Sequence, residues 1–166
     1  GEGATVVSTD KVALDENLRT EYTADDFGRR SKMRNLLAKR GLDRRAGERD
    51  LAYACRLGVA LGDRSQYRYD AMQQSLLLHL LPLLIWERGV GDCTGFNAGF
   101  VYALRAFDIP ARLSYGFKYG TALKRATGSL VAPHCEAELW ADGIGWIPCD
   151  ATCGCRGFDL EVAKEI

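Results

Sequence analysis

Gly91-Asp92-Cys93-Thr94-Gly95, the run from Phe96 to Phe107, Asp108-Ile109-Pro110 and then Ala111 to Tyr119 form the stretch whose reading decides the fold. Phe96, Phe100, Val101, Leu104 and Phe107 recur at helical spacing, which predicts one helix over 94–107. Asp108-Ile109-Pro110 stops it, because the residue before a proline avoids the helical region. From Ala111 to Tyr119 the period changes to two, with Leu113, Tyr115 and Phe117 on one face of a predicted strand. Cys93 therefore stands at the start of a helix. There the unpaired N–H groups and the helix dipole favour a thiolate and can receive an oxyanion.

Working outward, His134-Cys135-Glu136-Ala137-Glu138-Leu139-Trp140 alternates as a strand over about 134–140. Gly145 to Asp150 reads as a second strand, and Asp142-Gly143 supplies a hairpin turn between them. In that hairpin His134 and Asp150 come roughly opposite each other. Upstream, Asp50 can cap a helix over Leu51 to Leu61, with Leu51, Ala54, Cys55 and Gly58 on one face. Tyr67-Arg68-Tyr69-Asp70 leads into another helix from about Ala71. Its continuous apolar run, Leu76 to Leu81, belongs in the core with His79 packed inside, and Pro82 kinks or restarts it. Residues 1–24 are expected as an irregular arm or short edge strand. Residues 25–50 carry nine Arg or Lys against five Asp or Glu and read as a solvated helical surface. Helices first and an antiparallel sheet after give an α+β class, the helical N-terminal half packed on the sheet. At 166 residues the chain is expected to be a single domain, 1–50 an arm and basic segment and 51–166 the core.

Each of Cys93, His134 and Asp150 alone has a structural explanation: a packed thiol, a hydrogen-bonded strand histidine, a turn carboxylate. Together they carry a chemistry. A nucleophilic thiol needs a base within hydrogen-bond reach, and the base needs an acceptor that fixes its tautomer. The hairpin provides the second pair and the helix start provides the first residue.

Gly91-Asp92-Cys93, then Tyr102 through Asp108-Ile109-Pro110-Ala111-Arg112, then Ser114-Tyr115-Gly116, and finally His134 with Gly145-Trp146-Ile147-Pro148-Cys149-Asp150-Ala151-Thr152, resemble the transglutaminase-like core. The resemblance covers about 69–152 and implies a papain-like fold and acyl transfer, with Cys93 as nucleophile, His134 as base and Asp150 as its orienting acid. It also implies an aromatic oxyanion donor ahead of the helix leading to the cysteine, a place Tyr69 fills best, with Gln73 and Gln74 as neighbours. Four positions depart from the family pattern: Cys135-Glu136 replaces the Ala-Trp after the histidine, Asp108 replaces a Gly, and Ala151 replaces a Pro. The expected activity is a peptidase or amidase working through a thioester, with transfer to an amine acceptor or a silent peptide-binding module as alternatives.

The expected partner is a peptide or amide substrate. The formal net charge is zero and the basic segment has no interleaved aromatics, so no nucleic-acid partner is expected. No apolar run approaches the roughly 18 residues of a membrane span. No cofactor is implied, since the nucleophile is the protein's own. Cys149, Cys153 and Cys155 are spaced unlike common zinc sites, so no metal is expected and a disulfide or free thiols remain. The chain begins at Gly1 without Met, which leaves a cytoplasmic protein and an exported one with its signal removed equally open.

Overall fold

Helix α5 (Cys93–Arg105) is almost wholly buried from Gly95 to Leu104, and the other elements are arranged around it. A computed structural model describes residues 13–25, 28–68, 81–119 and 131–153. Before α5 come α1 (Glu16–Tyr22), α2 (Arg30–Lys39), α3 (Asp50–Arg64), the short strand β1 (Gln66–Tyr67), α4 (Leu81–Arg88) and the short strand β2 (Val90–Gly91). After it come β3 (Ala111–Tyr119), β4 (Val131–Ala141), β5 (Gly145–Cys149) and a 3-10 turn at Ala151–Cys153. The class is α+β, with α5 packed on one face of a three-stranded antiparallel sheet of order β3-β4-β5 and α1 against the other.

The core is built from the apolar stripes of α2, α3, α4 and α5 against the inner face of the sheet. Leu37, Leu57, Leu61, Phe100, Leu104, Ile109 and Leu139 are all sealed from solvent there. Close packing between α4 and α5 depends on Gly99. A Cβ at that position would run into Ile85 Cγ2, and its carbonyl accepts a 2.9 Å bond from Trp86 Nε1. On α3 the face Leu51, Ala54, Cys55 and Gly58 is buried as its spacing predicts. Its cap differs, because Arg49 holds the cap position with no side-chain bond and Asp50 pairs with Arg44.

In the sheet Tyr115 pairs with Cys135 and Gly116 with His134, while Ala137 pairs with Cys149 and Ala141 with Gly145. The turn is a three-residue connection, Asp142 to Ile144, with Gly143 at φ 86 and Gly145 at φ 110 supplying conformations that side chains disfavour. On the face holding Arg112, Trp140 and Trp146, the Arg112 guanidinium lies 4.0 Å over the Trp146 ring, and Tyr22 of α1 meets Trp146 edge-on at 4.9 Å.

Three local differences have physical reasons. Within the segment expected as an irregular arm, residues 16–22 form α1, because the Asp15 carboxylate accepts the Asn17 and Leu18 amides and caps a helix. Asp108 has φ 61, the one non-glycine residue at positive φ among the described residues. Aspartate tolerates this left-handed conformation better than most side chains. Its carboxylate is met by Arg30 at 2.5 Å and Arg34 at 3.1 Å, so part of the basic segment is engaged in closing the end of α5. Finally, Tyr115 and Phe117 share the inner face with Leu113, yet are 69% and 77% exposed. The sheet runs on past the start of α5, where nothing among the described residues buries them. No helix of the described residues is long and apolar enough to cross a membrane. The apolar run before Leu81, with His79, lies outside the described residues.

Candidate active site

Cys93 is the first residue of α5 and partly exposed. Asp92 caps the helix, accepting the Gly95 amide at 3.0 Å. Burial pushes the Asp92 carboxyl up, against the lowering effect of the Gly95 and Thr94 amides. The approach to Cys93 is fixed by a two-residue parallel bridge that pairs Gln66 with Val90 and Tyr67 with Gly91. That bridge brings Tyr67 beside the start of α5, where its ring centroid lies 6.1 Å from that of Phe96. Burial first, then negative charge on Cys93 and Asp92, pushes the phenol up to about 12.

His134 and Asp150 meet directly, Nε2 to Oδ2 at 2.9 Å. The strand register continued past Ala137–Cys149 sets Asp150 across from Glu136, two residues from His134 on the same face of β4, so the contact is diagonal. Asp150 Oδ2 also accepts Lys118 Nζ at 2.8 Å. Its Oδ1 accepts Thr152 N at 3.0 Å, Thr152 Oγ1 at 2.6 Å and Asn97 Nδ2 at 3.3 Å. Burial alone would raise the Asp150 carboxyl. The bonds from Lys118, Thr152, His134 and Asn97 outweigh it and hold the group well below the usual carboxylate range. An ionised carboxylate only accepts, so the network assigns the proton of neutral His134 to Nε2 and leaves Nδ1 as the basic nitrogen.

Asn97 joins the two halves. It is fully buried one turn after Cys93, and its Nδ2 reaches the Cys93 carbonyl at 3.0 Å and the Cys135 carbonyl at 2.8 Å. Its Oδ1 accepts the Ala151 amide at 2.9 Å. Among the described residues the Cys93 thiol and His134 form no direct hydrogen bond; Asn97 links the Cys93 carbonyl to the carboxylate that meets His134. Such bonds are often long in an empty site and tighten around substrate. Beside His134 is a cavity of about 110 Å³ lined by Ser114, Tyr115, Gly116, Phe117, His134 and Glu136.

Of the residues expected from sequence, His134 and Asp150 are in direct contact, and Cys93 is linked to Asp150 through Asn97. Tyr69, Gln73 and Gln74 lie outside the described residues; among the described residues Tyr67 is a tyrosine close to Cys93. Asn97 and Lys118 were not anticipated. Asn97 carries a signal, being a lone amide in the apolar run Phe96 to Val101, where a buried polar group must have partners. Lys118 becomes visible only once the strands are in register. Cys149 is disulfide-bonded, so it offers no thiolate to a metal. His134, Glu136 and Asp150 place possible ligand atoms within 4.8 Å of one another, but the Lys118 ammonium lies 2.8 Å from Asp150 and opposes a cation there.

Residues 37–151 match the transglutaminase-like superfamily. An uncharacterized protein of Haemophilus influenzae is 36% identical over 37% of this chain and 21% of its own length. The periplasmic domain of TgpA from Pseudomonas aeruginosa, in a structure bound to ethylmercury, superposes with a TM-score of 0.65 at 19% identity, covering 91% of this chain and 53% of that one. A candidate cysteine protease from Cytophaga hutchinsonii superposes with a TM-score of 0.60 at 19% identity, over 89% of this chain and 45% of that one. At such identities the two structures speak for the fold alone, and the chain spans about half their length. The family match covers more than half of the chain and the fold agrees with it, so this chain belongs to the transglutaminase-like superfamily.

Proposed function

We propose that the protein is a thiol amidase or peptidase that works through a thioester on Cys93. The observation that carries this reading is the 2.9 Å His134–Asp150 bond, tied by Asn97 to a cysteine at a helix start. In the first half-reaction Nδ1 of His134 takes the thiol proton and Sγ attacks the amide carbonyl. The carbonyl oxygen becomes an oxyanion between the Cys93 N–H and the Tyr67 hydroxyl. The C–N bond breaks as His134 returns the proton to the leaving amine, leaving a thioester. Water, deprotonated by His134, then attacks the thioester and releases a carboxylic acid and the thiol. Asp150 stays ionised throughout and stabilises the imidazolium. The exposed Tyr115 and Phe117 beside the cavity favour an acyl segment with apolar side chains.

A panel of peptide amides and esters, followed by mass spectrometry of the quenched protein, tests this. Cleavage with an acyl adduct on Cys93, lost in Cys93→Ala, is the expected result. Cleavage that persists in Cys93→Ala would sink the reading. Adding a primary amine to the same assay separates hydrolysis from acyl transfer, which would yield a new amide instead of the acid. Peptide binding without turnover would favour the silent module.

A further inference from the structure

Cys135 occupies a position where the family pattern has a small apolar residue, and nothing in the proposed reaction uses it. It is 2% exposed and its thiol is not in a disulfide. One amide nitrogen, Asn97 Nδ2, bonds the carbonyls of both Cys93 and Cys135, at 3.0 Å and 2.8 Å. The two carbonyl oxygens are therefore under about 6 Å apart, so one side chain holds the main chain of Cys93 beside that of Cys135. Cys135 pairs with Tyr115 on the inner face of the sheet, the face that packs on α5. Burial first, and then nearby Cys135 and Cys93, push the Tyr115 phenol up. We propose that Cys93 and Cys135 are a disulfide-forming pair, in which Cys135 resolves the oxidised nucleophile and so protects it from irreversible loss.

The chemistry balances with a peroxide as oxidant. The Cys93 thiolate attacks a peroxide oxygen, the O–O bond breaks, and a sulfenic acid forms as hydroxide (or alkoxide) leaves and is protonated. The Cys135 sulfur then attacks the Cys93 sulfur, the S–O bond breaks, water leaves and the disulfide forms. A dithiol later reduces it, becoming a disulfide itself. Burial, and after it the negative charge on Cys93, pushes the Cys135 thiol up to about 12. Resting Cys135 is therefore a protonated, unreactive thiol. Conversion of Cys93 to an uncharged sulfenic acid removes the second of those causes at the moment Cys135 is needed. Cys55, the other free cysteine of the described residues, is buried in α3 and is the internal control.

The pairing rests on the exposure and helix-start position of Cys93, which the proposed reaction also uses, but its readout is independent of activity. The purified protein is treated with a small excess of hydrogen peroxide, alkylated, digested and mapped. The expected product is a Cys93–Cys135 cross-linked peptide, lighter than the two thiol peptides by two hydrogens and absent after dithiothreitol. In Cys135→Ala, and in Cys135→Ser should the first fold poorly, Cys93 is expected to proceed to sulfinic acid. Recovery of alkylatable Cys93 after dithiothreitol then falls to about a tenth of wild type or less. Sulfinic acid on Cys93 of the wild-type protein, or Cys93 linked to any other cysteine, overturns the proposal. So does equal recovery in wild type and Cys135→Ala. None of these outcomes depends on whether an amide substrate is turned over.

Discussion

Replacing Asn97 by alanine tests the join between the two halves of the site. The side chain is fully buried and makes four hydrogen bonds, to the carbonyls of Cys93 and Cys135, to Asp150 and from the Ala151 amide. The Cys93 carbonyl keeps its helical partner and Asp150 keeps its other donors, so neither is orphaned. The Ala151 amide and the Cys135 carbonyl each lose a bond in a dry interior, at about 1–3 kcal/mol per group left unsatisfied. The expected loss is therefore about 2–6 kcal/mol, a large share of a domain stability of roughly 5–15 kcal/mol. At about 2–4 °C per kcal/mol, the melting temperature should fall by roughly 4–24 °C. Activity should fall further than stability explains, because Asp150 and the start of α5 are no longer held together. The assay is urea denaturation of wild type and Asn97→Ala, with peptide cleavage measured well below the new midpoint. Asn97→Asp is the companion, since it keeps the acceptor for Ala151 but turns a carboxylate toward Asp150 and two carbonyls. A stability change under about 0.5 kcal/mol with full activity in Asn97→Ala would refute the reasoning.

Three other outcomes are expected. Lys118→Met removes one of the donors that hold Asp150 low, so its carboxyl rises toward the usual range. A depressed carboxylate contributes stability above its unfolded value and loses it as pH falls through the folded one; raising the folded value moves the acid limbs of stability and activity to higher pH. Acid denaturation and a pH–rate profile would show the shift. Tyr67→Phe should lower kcat by about 10²-fold with little change in KM, if the phenol meets charge that exists only in the transition state. Gly99→Ala should cost about 1–3 kcal/mol of stability, because the new methyl has Ile85 Cγ2, the Pro82 carbonyl at 3.3 Å and Trp86 Nε1 at 3.4 Å around it; calorimetry reads it directly.

The strand Ala111–Tyr119 was legible to the residue, because a proline stop and a clean alternation mark its start and its course. Cys93, His134 and Asp150 were legible for a similar reason: a helix start and a hairpin are local features with local signals. The diagonal contact of His134 and Asp150 was not, since the register depends on the three-residue turn and its two glycines. Lys118 lay beyond reach because its nearness to Asp150 is a cross-sheet fact. Alternation placed Tyr115 and Phe117 with Leu113 on one face but could not say that the helix covering that face begins near Cys135. Asp108 shows the reverse case: the proline motif marks the helix end, while Arg30 and Arg34, which meet its carboxylate, sit more than seventy residues earlier.

The order of the site residues along the chain also sets the order in which the ribosome delivers them. Tyr67 and the cysteine emerge early and come together through the β1–β2 bridge, whereas the carboxylate that bonds His134 follows Asn97, Lys118 and His134 itself. Until β5 docks on β4 and the turn after it closes over Asn97, the imidazole has no acceptor to choose its tautomer. On the roles proposed above, the nascent polypeptide carries its thiol through translation before the imidazole gains its acceptor, and completion of the site coincides with β5, the last strand among the described residues.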